Sequence, residues 1–152
     1  HGFAIAIGLL RPESRGRLTL ESADPFADPV IDPNYLGEDD DLSRLTEGLR
    51  RAREIVQAPP FDDFRGDELT PWSTDPTDDE IAAYIRDTAG TFYHPVGSCK
   101  MGDDEMAVVD DELNVRGTEG LRVVDASVMP EVITGGPNAA TIMIAEKAAD
   151  FI

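Results

Sequence analysis

One segment constrains the fold more than any other. Between residues 40 and 57, Leu42, Leu45, Leu49, Ala52 and Val56 recur at three- and four-residue spacings, which predicts an amphipathic helix from Asp40 to Gln57 with one buried face. Acids crowd its start and arginines follow, an order that complements the helix dipole. Pro59-Pro60 ends it, because proline offers no N–H to continue the ladder. A helix with a single apolar face must pack against a second element.

Breakers keep most of the remaining elements short. Residues 3–10 (FAIAIGLL) read as a buried strand, residues 11–16 as a turn, and Arg17 to Glu21 as a half-buried strand pairing with the first in hairpin fashion. Residues 22–37 are rich in Pro and Asp and read as an ordered loop. Residues 58–76 form another loop, which holds Trp72. Thr77 followed by Glu80 is a capping box for a second helix over residues 78–89, with Ile81, Ala82 and Ile85 inward and Gly90 at its end. Residues 91–102 carry too many turn formers for a long element. Residues 107–116 read as a short strand and turn, and Leu121–Ala126, rich in β-branched residues, reads as a strand. A last helix runs from Asn138 to Ile152. The order of elements is α+β, without regular βαβ repetition.

Composition excludes several classes of function. A chain of 152 residues that is 41% hydrophobic builds one ordinary globular core. No apolar run approaches the ~20 residues of a membrane-spanning helix. The formal net charge of −18 argues against nucleic acid or an anionic membrane as partner, since both need basic surface. The acidic runs, such as Glu38–Asp41 and Asp110–Glu112, read as solvated faces. None has the turn glycine and spacing of an EF-hand. Two lysines stand against eleven arginines, which with the acidic surface suits a high-salt cytoplasm. No secretory leader is visible, the chain reads as starting mid-protein, and the expected location is cytoplasmic.

Few residues are equipped for chemistry. His94, followed by Pro95 and Gly97, lies in an irregular segment. A lone histidine is commonly a satisfied structural residue, but it is also the side chain whose proton affinity suits base catalysis near neutral pH. Cys99 reads either as a nucleophile working with His94 or as a small buried thiol. The junction Ile133-Thr134-Gly135-Gly136-Pro137-Asn138 opens the last helix. Asn138 reads there as a plain N-cap or as part of an anion-binding helix start that the glycines leave open. One Cys and one well-placed His cannot complete a tetrahedral zinc shell without carboxylates, so a zinc site is not expected. The sequence also lacks G-x-S-x-G, G-x-G-x-x-G and P-loop motifs.

Four segments, in order, carry a family resemblance. The first is Arg11-Pro12-Glu13-Ser14-Arg15-Gly16-Arg17-Leu18-Thr19-Leu20, followed by Ile31-Asp32-Pro33-Asn34-Tyr35-Leu36. The second is Tyr93-His94-Pro95-Val96-Gly97-Ser98-Cys99-Lys100-Met101-Gly102. The third is Leu121-Arg122-Val123-Val124-Asp125-Ala126-Ser127-Val128-Met129-Pro130. The fourth is Asn138-Ala139-Ala140-Thr141-Ile142-Met143-Ile144-Ala145-Glu146-Lys147-Ala148-Ala149. Together they resemble the C-terminal region of the glucose–methanol–choline (GMC) oxidoreductases, with a choline-dehydrogenase-like flavour.

The resemblance implies an FAD-dependent enzyme that oxidises the CH–OH group of a small alcohol. The N-terminal FAD-binding portion, with its glycine-rich loop, would be the partner of this chain, and the chain alone would be inactive. Residues 1–90 resemble part of the substrate-binding domain, an antiparallel sheet with flanking helices. Residues 91–152 resemble the segment that returns to complete the Rossmann-like FAD domain, all within one compact unit. His94 matches the family's catalytic histidine and Asn138 its second active-site position, while Asp125, Ala126, Asn138, Ala139 and Thr141 match positions lining the flavin. Ala140 departs from the proline common before the threonine, and Gly-Gly-Pro departs from the usual run before Asn138. Both departures bear on loop shape and substrate preference. A lyase of the same fold and a non-catalytic binding module are the other readings.

Overall fold

The computed structural model describes residues 2–70 and 75–152; His1 and Trp72 lie outside the described residues. It contains an antiparallel pair of strands, β1 (Arg17–Thr19) and β2 (Val30–Asp32), and three helices, α1 (Asp39–Gln57), α2 (Asp78–Thr88) and α3 (Asn138–Ala148), with short 3-10 turns at Pro59–Phe61, Ala126–Val128 and Ala149–Phe151. The α+β reading with an antiparallel sheet holds, on a sheet of two short strands. The chain divides into two units, each with its own core.

The first unit comprises the chain up to Leu9, Glu13–Arg15 and Asn34–Gly90. Its core is the seam of α1 against α2, where Leu49, Ile81 and Ile85 are buried and Ile7, Leu36, Leu42, Leu45 and Tyr84 pack around them. The apolar spacing in α1 therefore faces inward as expected. Thr77 Oγ1 accepts the Glu80 N–H at 3.3 Å, and Glu80 returns the bond by accepting the Thr77 N–H at 2.7 Å. This capping box holds the carboxyl of Glu80 below its ordinary range, chiefly through the Thr77 N–H. Gly48 sits in α1 where an added Cβ would come within 2.9 Å of Ile7, so its missing side chain lets that segment approach.

Asp41 departs from the solvated face expected of Glu38–Asp41. It is the one buried charged side chain among the described residues. Its carboxylate accepts the Glu13 and Ser14 N–H groups at 2.8 Å each and the Ser14 hydroxyl at 2.5 Å. Ser14 Oγ in turn accepts the Glu38 N–H at 3.1 Å, which satisfies a donor at the start of α1. Burial works against the charged form of Asp41. The hydrogen bonds from Ser14 and Glu13, with the charge of Arg44, outweigh it and hold the carboxyl below its ordinary value.

Residues 3–10 form no strand, and most are exposed. Apolar content alone does not make a strand; backbone N–H and C=O groups need a neighbouring edge. Arg17 does not begin a hairpin with that segment either. β1 pairs instead with β2, in the register Arg17↔Asp32, Leu18↔Ile31 and Thr19↔Val30, so the expected loop over residues 22–37 contains a strand. Gly16 makes the pairing possible, because a Cβ there would collide with the Asp32 carbonyl oxygen and lie 2.8 Å from the Pro33 Cα.

The second unit comprises Leu10–Pro12, Gly16–Pro33 and Thr91–Ile152. Its buried centre is Val109, Leu113, Val128 and Ala148, with Met101, Val115, Val123 and Ile144 among the residues packed on it. Residues 107–116 supply the short extended pieces expected, as single bridges at Val109 and Asn114–Val115. Leu121–Ala126 does not form the predicted strand. Only Arg122 bridges, to Asn114. Asp125 then turns the chain by accepting the Ser127 N–H at 2.7 Å, which starts the 3-10 turn Ala126–Val128. α3 ends at Ala148, short of the Ile152 read from sequence, and a 3-10 turn follows.

Candidate active site

The candidate residues all fall in the second unit. Residues 91–102 have no helix or strand beyond one bridging residue, as their prolines and glycines dictate. Their second half is anchored. Cys99 N–H donates to the Ser127 carbonyl at 3.0 Å, Met101 N–H to the Val128 carbonyl at 2.9 Å, and Lys100 N–H turns back to the Gly97 carbonyl at 3.2 Å. Gly97 has φ +87°, a conformation that costs any residue with a Cβ. Lys100 Nζ lies 2.7 Å from Asp104, and this contact, first, with the Met106 N–H holds the Asp104 carboxyl below its ordinary range. The loop carrying His94 is thus fastened by main-chain bonds to the turn at Ala126–Val128.

The first half of the loop stands open. Phe92, Tyr93 and His94 are exposed. The His94 imidazole leans toward the loop before α3, with its Cε1 3.8 Å from where a Cβ on Gly136 would stand. The structure thus brings His94 beside the glycine junction that leads to Asn138. Gly135 has nothing within 4 Å of an added Cβ, so the backbone there is open to a ligand.

Asn138 is not the N-cap. Pro137 takes that position, Asn138 is the first helical residue, and no side chain caps α3. The reason lies in Thr141, whose N–H and hydroxyl both donate to the Pro137 carbonyl, at 2.8 and 2.9 Å. This closes the first turn one residue earlier than an asparagine cap would. Asn138 and Ala139 are exposed, and Thr141 is half-buried. In the first turn of a helix the N–H groups lack intrahelical acceptors, and the small Ala139 and Ala140 leave room for a planar group to approach them. Asp125 is exposed and Ala126 half-buried, both on the turn to which the His94 loop is fastened.

Cys99 is half-buried. Its N–H is held by Ser127, and no hydrogen bond joins it to His94 among the described residues. No group of three or more His, Cys, Asp or Glu among the described residues is placed to hold a metal ion, and no described helix is long and apolar enough to cross a membrane. Beside α3, a largely apolar groove of about 390 Å³ is lined by Met129, Pro130, Ile133, Ala140, Met143 and Ile144, with Glu131 its one charged residue.

Sequence reading did not single out Tyr93, whose φ is +60°, or Thr91, whose hydroxyl accepts the Tyr93 N–H at 2.8 Å. No signal pointed to them, because a bulky aromatic residue is not a left-handed turn former.

The family model described as GMC oxidoreductase, covering the C-terminal region, matches residues 12–145. The oxygen-dependent choline dehydrogenase of Yersinia pseudotuberculosis serotype IB (strain PB1/+) is 51% identical over 152 residues, which is 100% of this chain and 27% of that protein. The same-named protein of Acinetobacter baumannii (strain AYE) is 52% identical, with 28% of its length covered. The chain therefore spans just over a quarter of the length of these curated relatives. Among solved structures, pyridoxine 4-oxidase from Mesorbium loti superimposes with a TM-score of 0.85 at 35% identity, over 93% of this chain and 28% of that one.

Proposed function

This chain belongs to the GMC oxidoreductase family, and from that membership we propose that it is the C-terminal catalytic portion of an FAD-dependent enzyme that oxidises the CH–OH group of an alcohol. Choline is the first substrate to test, from the names of the relatives. The observation that carries the reading is the placement of His94 beside Gly136, at the entrance to α3.

The residues present fit FAD. The start of α3 offers unpaired N–H donors and the positive end of the helix dipole to an electron-rich ring edge. Ala139 and the glycine junction keep side chains out of the way, and Asp125, Ala126 and Thr141 complete the lining. FAD would supply the two-electron acceptor for the hydride leaving the alcohol carbon. The rest falls to this chain. His94 accepts the hydroxyl proton as the C–H bond breaks. Asn138 donates from its side-chain amide to the developing alkoxide, where a fixed dipole acts most strongly. The open Gly135–Gly136 backbone leaves space for the substrate between them.

In the complete protein, residues 1–90 belong to the substrate-binding domain, and residues 91–152 complete the Rossmann-like FAD domain. The apolar groove on α3 supports this, because the exposed Met143 and half-buried Ile133 and Ile144 are suited to cover by the N-terminal FAD-binding portion. The enzyme works in the cytoplasm, and the 152 residues alone are inactive.

The test uses the full-length protein that contains this chain. Choline mixed anaerobically with wild type should bleach the flavin. His94→Ala should keep its FAD and reduce it ~100- to 10,000-fold more slowly. A His94→Ala protein that stays loaded and reduces its flavin at the wild-type rate would overturn the assignment.

A further inference from the structure

The chemistry proposed above makes no use of Asp41, the one buried charged side chain among the described residues. It is fully buried within this chain, and polypeptide packed on the first unit from elsewhere in the complete protein only adds to that burial. A carboxylate taken out of water is strongly unfavourable unless donors surround it. Three donors do so here, and all come from two consecutive residues far upstream. The Glu13 N–H reaches one carboxylate oxygen at 2.8 Å. The Ser14 N–H and hydroxyl reach the other at 2.8 and 2.5 Å.

Two contacts that do not involve Asp41 hold these donors in place. Ser14 Oγ accepts the Glu38 N–H at 3.1 Å, which uses a lone pair and leaves the hydroxyl proton for Asp41. The Arg15 carbonyl accepts from the Asn34 side-chain amide at 3.0 Å, which holds the far end of the turn. Two adjacent main-chain N–H groups and a hydroxyl aimed at one point make a concavity suited to an anion. Asp41 enters it as the third residue of α1, where the helix dipole also favours negative charge.

We propose that the Glu13–Ser14 turn is a receptor for a small carboxylate, which Asp41 fills from within the chain to strap residues 13–15 to the start of α1. The receptor recognises the carboxylate as a discrete anion, so its ligand need not be covalently attached. The proposal is independent of the roles given to His94 and Asn138.

The experiment uses the full-length flavoprotein with Asp41→Ala, Asp41→Gly, Asp41→Asn and the double variant Asp41→Ala with Ser14→Ala. Amide exchange of residues 13 and 14 is followed at neutral pH in rising sodium formate, against sodium chloride at the same ionic strength. Asp41→Ala and Asp41→Gly empty the receptor, and exchange there should quicken about 10-fold or more. Formate should then restore protection along a saturating curve, and chloride should not. Asp41→Asn also exchanges faster, but its amide still occupies the space, so formate should not rescue it. The double variant lacks the hydroxyl donor and should need several-fold more formate than Asp41→Ala. Exchange in Asp41→Ala as slow as in wild type would mean that water serves these donors equally well, and it overturns the proposal. So does formate that protects Asp41→Ala and Asp41→Gly no better than chloride, or that protects Asp41→Asn equally. Should the Ala and Gly variants fail to fold, recovery of their thermal transition by formate, and not by chloride, is the readout, and no recovery overturns the proposal.

Discussion

The His94 imidazole lies over the side of Gly136 that a side chain would occupy, with its Cε1 3.8 Å from the point where a Cβ on Gly136 would stand. That separation is an ordinary van der Waals contact, so a methyl fits and a branched chain does not. In the full-length enzyme, Gly136→Ala should reduce its flavin within a few-fold of wild type. Gly136→Leu must displace the imidazole and should slow reduction about 100-fold while FAD stays bound. Stopped-flow reduction by choline, scored with flavin occupancy, separates the two.

Gly97→Ala tests the anchored half of the same loop. The substitution forces a Cβ into φ +87°, at a cost of roughly 1–2 kcal/mol. The nearest atom to that Cβ, the Met129 carbonyl oxygen, is 3.5 Å away, so the cost is conformational rather than a clash. Urea denaturation should show a lower midpoint with an unchanged slope.

Asn138→Ala should leave helix stability nearly untouched. An asparagine N-cap replaced by alanine ordinarily costs about 1 kcal/mol, but Pro137 holds the cap position here and Thr141 closes the turn. Any loss of flavin or rate in Asn138→Ala then reports direct contact with ligand. Thr141→Val, which removes the 2.9 Å bond to the Pro137 carbonyl, is the variant that should fray the start of α3. Amide exchange across residues 138–142 distinguishes the two.

The Asp41 cluster should respond to acid. Its folded-state carboxyl is held below the ordinary value of 3.8, so the unfolded chain binds the proton more readily. The contribution is complete above that value and is lost as the pH falls through the lower, folded one. Asp41→Asn should remove it at neutral pH, since an amide in place of a carboxylate leaves a buried N–H without a full acceptor, at a cost of about 1–3 kcal/mol. Faster exchange of the Glu13 and Ser14 amides in Asp41→Asn, and in wild type only below about pH 4, is the expected result. Equal exchange in both proteins at neutral pH would remove Asp41 as the latch.

Much of this molecule was legible before any coordinates. α1 appeared in the spacing of Leu42, Leu45, Leu49 and Ala52, and the capping box of α2 in Thr77 and Glu80. Both are local signals, settled by hydrogen bonds and side-chain spacing within a few residues. The order of the four motifs, with His94 and Asn138 inside them, pointed to the family for the same reason: each motif is read from adjacent residues.

Tertiary structure alone decided the rest. Residues 3–10 have the composition of a strand, but a strand exists only where another edge accepts its backbone, and β1 found that edge at Val30–Asp32 instead. Asp41 sits in an acidic run that reads as surface, and it became buried because Glu13 and Ser14, far back in the chain, present donors that offset the loss of water. Asn138 reads as a cap, yet Thr141 bonding to Pro137 moved the helix start. Composition and spacing determine which residues are able to do chemistry, since proton affinity and propensity belong to single residues. Which of them come near one another, as His94 comes beside Gly136, depends on partners distant in sequence, and only the folded chain supplies those.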